Sequence, residues 1–338
     1  MMSYRQRERE RHKLKIKYFD YLHYTATRVD PYVKEFLRSH FKLYPLAAEM
    51  FLSKYRFGNP QLRPALVRLA YELVGGNDWE KIIPVCAAIE VEETAYYCLD
   101  DFFDQEPTSK KDRDRLILQA VGFYSIAHDM TRAIRHCLSD EYFWRILEEM
   151  SNLDANTLQA GIIDSVMHGT DEQFYMGKVE GYNFWEQALK IGGLLRESAN
   201  PNIELLGKIG KKIGMAHILS NDCWDFGKDL EDFRQGKSTL PIIFALNNAS
   251  GQDREALTAL LGRKDLSAQE IDVVRSIMVR CGAIEQGRKK ALELCADAIE
   301  LLHQFPDSEA RQLIEFSTTY TQRNKYYKLL NRYKQQSP

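Results

Sequence analysis

The sequence predicts an all-α helical bundle, and three observations carry that prediction. Apolar residues recur at the helical period in nearly every segment, as in Ala65-Leu66-Leu69-Ala70-Leu73 and Leu257-Leu260-Leu261. Alternating strand patterns are hard to find. Turn formers (Gly58-Asn59-Pro60, Gly75 to Asp78, Glu106 to Ser109, Asn200-Pro201, Asn248 to Gly251, Phe305-Pro306-Asp307) cut the chain into roughly a dozen to fifteen pieces of helix length. No Gly/Ser or Pro-rich linker separates two halves, and no repeat of roughly 20–50 residues is visible. The chain therefore reads as a single all-α domain over 1–338.

The elements follow in order. Residues 1–28 read as a basic N-terminal helix or arm, since Arg5 to Lys17 is locally basic; a solvated helix start outweighs a membrane contact there. The same stretch lacks the apolar core of a secretory signal, and Glu8 and Glu10 are unlike a transit peptide. No apolar run approaches the roughly 18 residues that span a bilayer, so a cytoplasmic protein is expected. With 46 basic and 48 acidic residues, the charge balance gives no reason to expect a nucleic-acid partner. The six cysteines form no CxxC pair and read as small buried apolar residues.

Two segments stand apart, one from about Trp79 to Phe103 and one from about Ile203 to Gly227. Each is strongly apolar, interrupted by a few charges, and ends in carboxylates, so each belongs near the centre of a bundle. Acids at the end of a buried helix are costly unless paired or metal-bound. In Asp100-Asp101-Phe102-Phe103-Asp104, the first and last acids are four apart, about 40° around the helix, and share a stripe. Asn221, Asp225 and Asp229 also repeat every four residues. Two such faces brought together would offer hard oxygen ligands of the kind magnesium takes, with water and substrate phosphates completing its octahedron. A di-iron carboxylate bundle needs two Glu-x-x-His motifs, and only Glu300 with His303 fits. After Leu246 the chain carries amphipathic helices without an interpretable motif.

With these motifs in their order, the chain resembles the trans-isoprenyl diphosphate synthase (polyprenyl synthetase) family over most of its length. The matching segments are Leu62-Arg63-Pro64-Ala65-Leu66, Gly75-Gly76, Ala88-Ile89-Glu90, Asp100-Asp101-x-x-Asp104, Lys190-Ile191-Gly192-Gly193-Leu194, the Asp225 region, and Gly236-Lys237-Ser238-Thr239-Leu240-Pro241. The resemblance implies an isoprenoid-synthase helical bundle with a central active-site cavity, a homodimer, and three Mg2+ ions holding a prenyl diphosphate substrate. It makes Asp100, Asp104 and Asp225 metal ligands with Asp101 in support; Asn221 and Asp229 join them by their register. Lys190 and Lys237 are implied diphosphate contacts, with Arg63 and Lys228 as further candidates. Metals and lysines would stabilise the charge that develops on the departing diphosphate. Pro241 is placed to open a helix.

The chain also departs from that family. Before the first acidic motif the family carries Gly-Gly-Lys-Arg-x-Arg-Pro, where this chain has Gly58-Asn59-Pro60-Gln61-Leu62-Arg63-Pro64, so only Arg63 survives of the set that binds isopentenyl diphosphate. Glu93 stands where a histidine is usual, and Lys110 or Lys111 are the substitutes for a missing Arg-Arg-Gly. A carboxylate about 4 Å from a bound phosphate costs about 4 kcal/mol at an effective dielectric near 20, roughly a thousandfold in affinity. The second motif, Asn221-Asp222-x-x-Asp225-x-x-x-Asp229, is similar to the metal motif of class I terpene cyclases, and Arg332-Tyr333 is similar to a pair in bacterial ones. No arginine occupies the upstream distance at which those cyclases place a diphosphate sensor, where Tyr175 stands. Tyr96, Tyr97, Phe103 and Trp224 are the candidate pocket-lining rings, suited to a carbocation by cation–π attraction.

The function expected from these departures is magnesium-dependent ionisation of an allylic prenyl diphosphate, followed by cyclisation, rearrangement or quenching in an isoprenyl-synthase-like terpene synthase. The alternatives are a chain-elongating prenyltransferase of geranylgeranyl or farnesyl diphosphate synthase type, transfer to another acceptor, or a non-catalytic partner subunit. The intact Asp100, Asp101 and Asp104 argue against the last.

Overall fold

A computed structural model of the protein describes residues 4–103, 109–166, 172–182, 184–197, 202–226 and 230–320. Among these residues there are helices and turns and no strands, the all-α class the periodicity predicts. The helices are α1 (Tyr4–His40), α2 (Pro45–Lys54), α3 (Leu62–Leu73), α4 (Ile83–Phe103), α5 (Lys110–Arg132), α6 (Asp140–Val166) and α7 (Glu172–Gly181). There follow α8 (Phe184–Leu194), α9 (Ile203–Asp225), α10 (Glu231–Gln235), α11 (Leu240–Asn248), α12 (Gly251–Leu260), α13 (Ala268–Arg280) and α14 (Ala283–Leu302). A last helical stretch covers 309–320. No described helix is long and apolar enough to cross a membrane.

Local chemistry sets many of the boundaries. Gly75 follows α3 with φ +90°, a left-handed conformation that glycine adopts without a Cβ penalty. There the Gly76 amide donates to Tyr71 O (2.8 Å) and the Gly75 amide to Glu72 O (3.0 Å), a Schellman closure of the helix. Ser109 caps α5 by accepting from the Asp112 amide, and Ser267 with Glu270 forms a capping box on α13. Pro241 sits in the first turn of α11, as expected of a residue lacking an amide hydrogen. The apolar segment predicted from Trp79 begins as a 3-10 turn, Trp79–Ile82, before α4 proper.

The chain divides into two compact units, each discontinuous in sequence. The first comprises Met1–Thr157, Phe184–Gly210 and Leu302–Phe316. Here α4 packs along α5, while α3 lies against α8 and α4, and α1 touches both α3 and α4. The α3–α8 crossing is close because Gly192 has no side chain: a Cβ there would meet Val67 O at 2.2 Å and Ala70 Cβ at 2.7 Å. Ala65, Leu66, Leu69 and Ala70, the periodic stripe of α3, are fully buried. Burial of each such leucine is worth about 1.5–3 kcal/mol before chain entropy is counted.

The second unit comprises Leu158–Asn183, Lys211–Leu301 and Ser317–Pro338. One core gathers Phe226, Phe233, Ile242, Leu257, Val274 and Ile277. Another joins Tyr175 and Val179 of α7 to Leu219 of α9, Leu240 and Ile243 of α11 and Ala291 of α14. Of the cysteines, Cys86, Cys98, Cys223 and Cys295 are buried as expected; Cys281 is half-buried and Cys137 is exposed, and all six are free thiols.

Candidate active site

In the first unit, α4 delivers Asp100 and Asp101 at its C-terminal end. Asp100 is exposed and Asp101 half-buried, so the last turn lies clear of the packed interior expected of it. That placement removes much of the desolvation cost of two adjacent carboxylates. Asp101 pairs with Lys54 at the end of α2. Asp104 lies outside the described residues. Phe103 is about half exposed and meets Phe102 edge-on, at 5.4 Å between centroids, while the Arg113 guanidinium covers Phe102 at 4.8 Å. Tyr96 approaches Phe184 of α8 at 6.1 Å.

Two turns before Asp100 on α4 lies a network built around Glu93. Its carboxylate, 4% exposed, pairs with Arg63 of α3, whose side chain is 21% exposed. Tyr97 donates its hydroxyl to the same oxygen at 2.8 Å, and the Arg56 guanidinium covers the Tyr97 ring at 4.2 Å. Nearby Glu90 is half-buried; loss of hydration first, and then the charge of Glu93, push its carboxyl up to about 8 against the lowering effect of Arg63. Glu93 is therefore more than an isolated like charge near a phosphate. It neutralises the one arginine that survives from the basic set.

Lys190 of α8 is likewise engaged, 2.7 Å from Glu149 and 3.9 Å from Glu186. The glycines that follow it have a packing role: Gly192 admits α3, and a Cβ on Gly193 would meet Leu206 and Ile203 of α9.

In the second unit, α9 ends in Asn221, Asp222 and Asp225, all half-buried. Tyr175 of α7, fully buried, donates its hydroxyl to Asp222. Asp225 accepts the Asp232 amide at 3.1 Å, and Asp232 lies 3.9 Å from Lys237. Gly236, with φ +73°, closes α10 and leads into Lys237. Lys178, one turn beyond Tyr175 and 6% exposed, donates to Ser238 O at 3.4 Å. Trp224 packs against the larger apolar core of this unit. Leu230 takes a left-handed conformation, φ +52° and ψ +42°, which costs a non-glycine residue about 1–2 kcal/mol. Lys228, Asp229, Arg332 and Tyr333 lie outside the described residues.

Sequence reasoning singled out the acids but missed Lys54, Lys178 and the Tyr175–Asp222 bond. Tyr175 and Lys178 are three apart on α7, and that spacing is the signal available for them. Among the described residues no three histidine, cysteine or acidic side chains converge as a metal cluster. The donor chemistry still suits magnesium, which needs one or two carboxylates and takes the rest of its shell from water and phosphate.

Known proteins supply the remaining context. The family model described as polyprenyl synthetase matches residues 48–279. The chain is 26% identical over 284 residues to the short chain isoprenyl diphosphate synthase of Methanothermobacter thermautotrophicus, covering 76% of this chain and 84% of the relative. Among solved structures, geranylgeranyl pyrophosphate synthetase from Pyrococcus horikoshii superposes with a TM-score of 0.79 at 21% identity, over 92% of this chain and 99% of that one. Geranylgeranyl pyrophosphate synthase from Corynebacterium glutamicum, complexed with isoprenyl diphosphate and magnesium, gives 0.77 at 17% identity, over 90% and 99%.

Proposed function

As the chain belongs to the polyprenyl synthetase family, we propose that it is a prenyltransferase that ionises an allylic prenyl diphosphate and passes the prenyl group to an acceptor, by the chemistry of chain elongation. The observation that carries this reading is the agreement of the family match with relatives named as prenyl diphosphate synthases over most of their length. It moves chain elongation ahead of the cyclisation, rearrangement or quenching expected from the sequence departures. One observation keeps cyclisation as the second reading: Glu93 occupies Arg63, which the resemblance gives to the acceptor's diphosphate.

Within this proposal, Asp100, Asp104, Asn221, Asp225 and Asp229 hold magnesium, with Asp101 fixed by Lys54. Bound magnesium supplies positive charge against the departing diphosphate. Lys190, Lys228 and Lys237 contact the diphosphate, and Lys190 must exchange Glu149 for it. Tyr175 orients Asp222, next to Asn221, and so preorganises the end of α9. Tyr96 and Tyr97 present rings along α4 to the hydrocarbon, with Phe103 and Trp224 as further pocket candidates. Three magnesium ions and a homodimer belong to the same proposal.

The test is an incubation with magnesium and geranyl, farnesyl or geranylgeranyl diphosphate, with and without isopentenyl diphosphate. A longer prenyl diphosphate formed only with isopentenyl diphosphate supports the proposal. Hydrocarbon or alcohol formed without it supports the second reading instead. No turnover, together with rescue of a partner's activity, would make the chain a subunit.

A further inference from the structure

Three helices of the first unit bring polar groups into a dry place away from the acidic end of α4. Glu92 of α4 is fully buried, and no donor meets either of its carboxylate oxygens. Asp154 of α6 lies within hydrogen-bonding reach of it. One Asp154 oxygen is buried and unmet, and the other stands 2.7 Å from His128 Nε2 on α5. The Tyr124 hydroxyl of α5 and the Thr157 hydroxyl, one turn beyond Asp154 on α6, are also buried and unmet. Each such orphan costs about 1–3 kcal/mol, and an isolated buried carboxylate costs more. Two carboxylates in contact here cannot both be charged.

We propose that Glu92 and Asp154 share one proton, that this proton clamps α4 to α6, and that His128 is its route to solvent. Glu92 holds the proton on its carboxyl and donates it to Asp154, the geometry that turns two opposed acceptors into a hydrogen bond. Burial first, and then the charge of Asp154, push the Glu92 carboxyl well above the usual range. The charge acting on Glu92 is that of Asp154; Tyr124 faces both acids from α5, with the Cys98 thiol of α4 beside it. His128 and Asp154 each expose about a fifth of their side chains (22%), so the relay runs from a sealed carboxyl to a wetted imidazole. When the pH rises and the proton leaves, two carboxylates are held against each other and the α4–α6 contact opens. Asp100 lies two turns further along α4, about 12 Å by helix rise, so the clamp steadies the element that presents it. The inference does not depend on the reaction assigned above.

Two measurements on the intact protein test it. Infrared spectra at neutral pH, taken in a Glu90→Gln background because the Glu90 carboxyl is also raised, should show the carbonyl stretch of a protonated carboxylic acid, and that band should vanish when Glu92→Gln is added. Native-state hydrogen exchange of α4 amides in the same background, corrected for the intrinsic rate, should give an opening constant that rises about tenfold per pH unit while the closed form keeps the proton and the opened form releases it, and no such rise once Glu92→Gln is added. If Glu92→Gln fails to fold, Asp154→Asn serves. It removes the like charge and must move the protonated-acid band to lower pH. An absent band in the Glu90→Gln background, the same exchange slope once Glu92→Gln is added, or an unmoved band in Asp154→Asn would each overturn the proposal.

Discussion

Replacing Glu93 with glutamine probes the feature that separates chain elongation from cyclisation. In the wild type the Glu93 carboxylate neutralises Arg63, and the pair sits under partial cover, with 4% and 21% of the two side chains exposed. A diphosphate arriving at Arg63 must compete with that carboxylate and then lie beside it. Two unit charges about 4 Å apart interact by about 4 kcal/mol at an effective dielectric near 20. Part of that is recovered from water when the pair is broken, so a gain of about 1.5–3 kcal/mol is expected on removing the charge. This is a fall of roughly tenfold to a hundredfold in KM for isopentenyl diphosphate. Glutamine keeps an acceptor for the Tyr97 hydroxyl, which now donates to Glu93 at 2.8 Å. Breaking a buried pair by removing one partner costs about 3–5 kcal/mol, and the partial exposure of Arg63 puts this case at the low end. Steady-state kinetics and thermal unfolding of the same variant read both effects. A folded variant with a lower Tm and an unchanged KM would refute the reasoning, because Arg63 would not then be the acceptor's anchor.

Other perturbations follow from single contacts. Gly192→Ala places a Cβ 2.2 Å from Val67 O, and the loss in unfolding free energy should reach the upper end of about 1–3 kcal/mol, read by denaturant titration. Tyr175→Phe removes the hydroxyl that donates to Asp222; a loss of about 1.5–3 kcal/mol and weaker magnesium-dependent binding of inorganic diphosphate are expected by calorimetry. Glu90, raised from an ordinary 4.5 to about 8, contributes stability that is complete below about 4.5 and lost as the pH climbs through about 8. Unfolding free energy should fall across that window, and Glu90→Gln should flatten the fall; an equal slope in the variant would contradict the assignment.

Much of this arrangement is written locally and is therefore legible in the sequence. The stripe of α3, the glycine closure at Gly75-Gly76 and the proline opening of α11 each depend on neighbours a few residues away. So does the helical register that puts Asp100 and Asp101 at the end of α4, and Asn221 and Asp225 at the end of α9. What the sequence hides are contacts between helices. Glu93 is separated from Arg63 by a turn and most of two helices, so it reads as an unopposed charge until α3 and α4 are packed. Glu92 looks like one of the few charges interrupting an apolar helix, and only burial against Asp154 makes it unusual. Lys178 carries only its three-residue spacing from Tyr175 as a local signal, and one lysine on a short helix otherwise resembles any solvated one. Asp100 errs in the other direction: an apolar helix suggests a buried end, whereas α4 runs far enough to expose Asp100, with Asp101 half-buried beside it.

The measurement that tests the account most directly is magnesium-dependent release of inorganic diphosphate from an allylic prenyl diphosphate, compared between the wild type and Asp100→Ala. The account predicts release by the wild type that stops when magnesium is chelated, and a loss of at least about a hundredfold in the variant, about 2.7 kcal/mol of transition-state stabilisation. Release at the same rate in Asp100→Ala, or release that does not need magnesium, would contradict it.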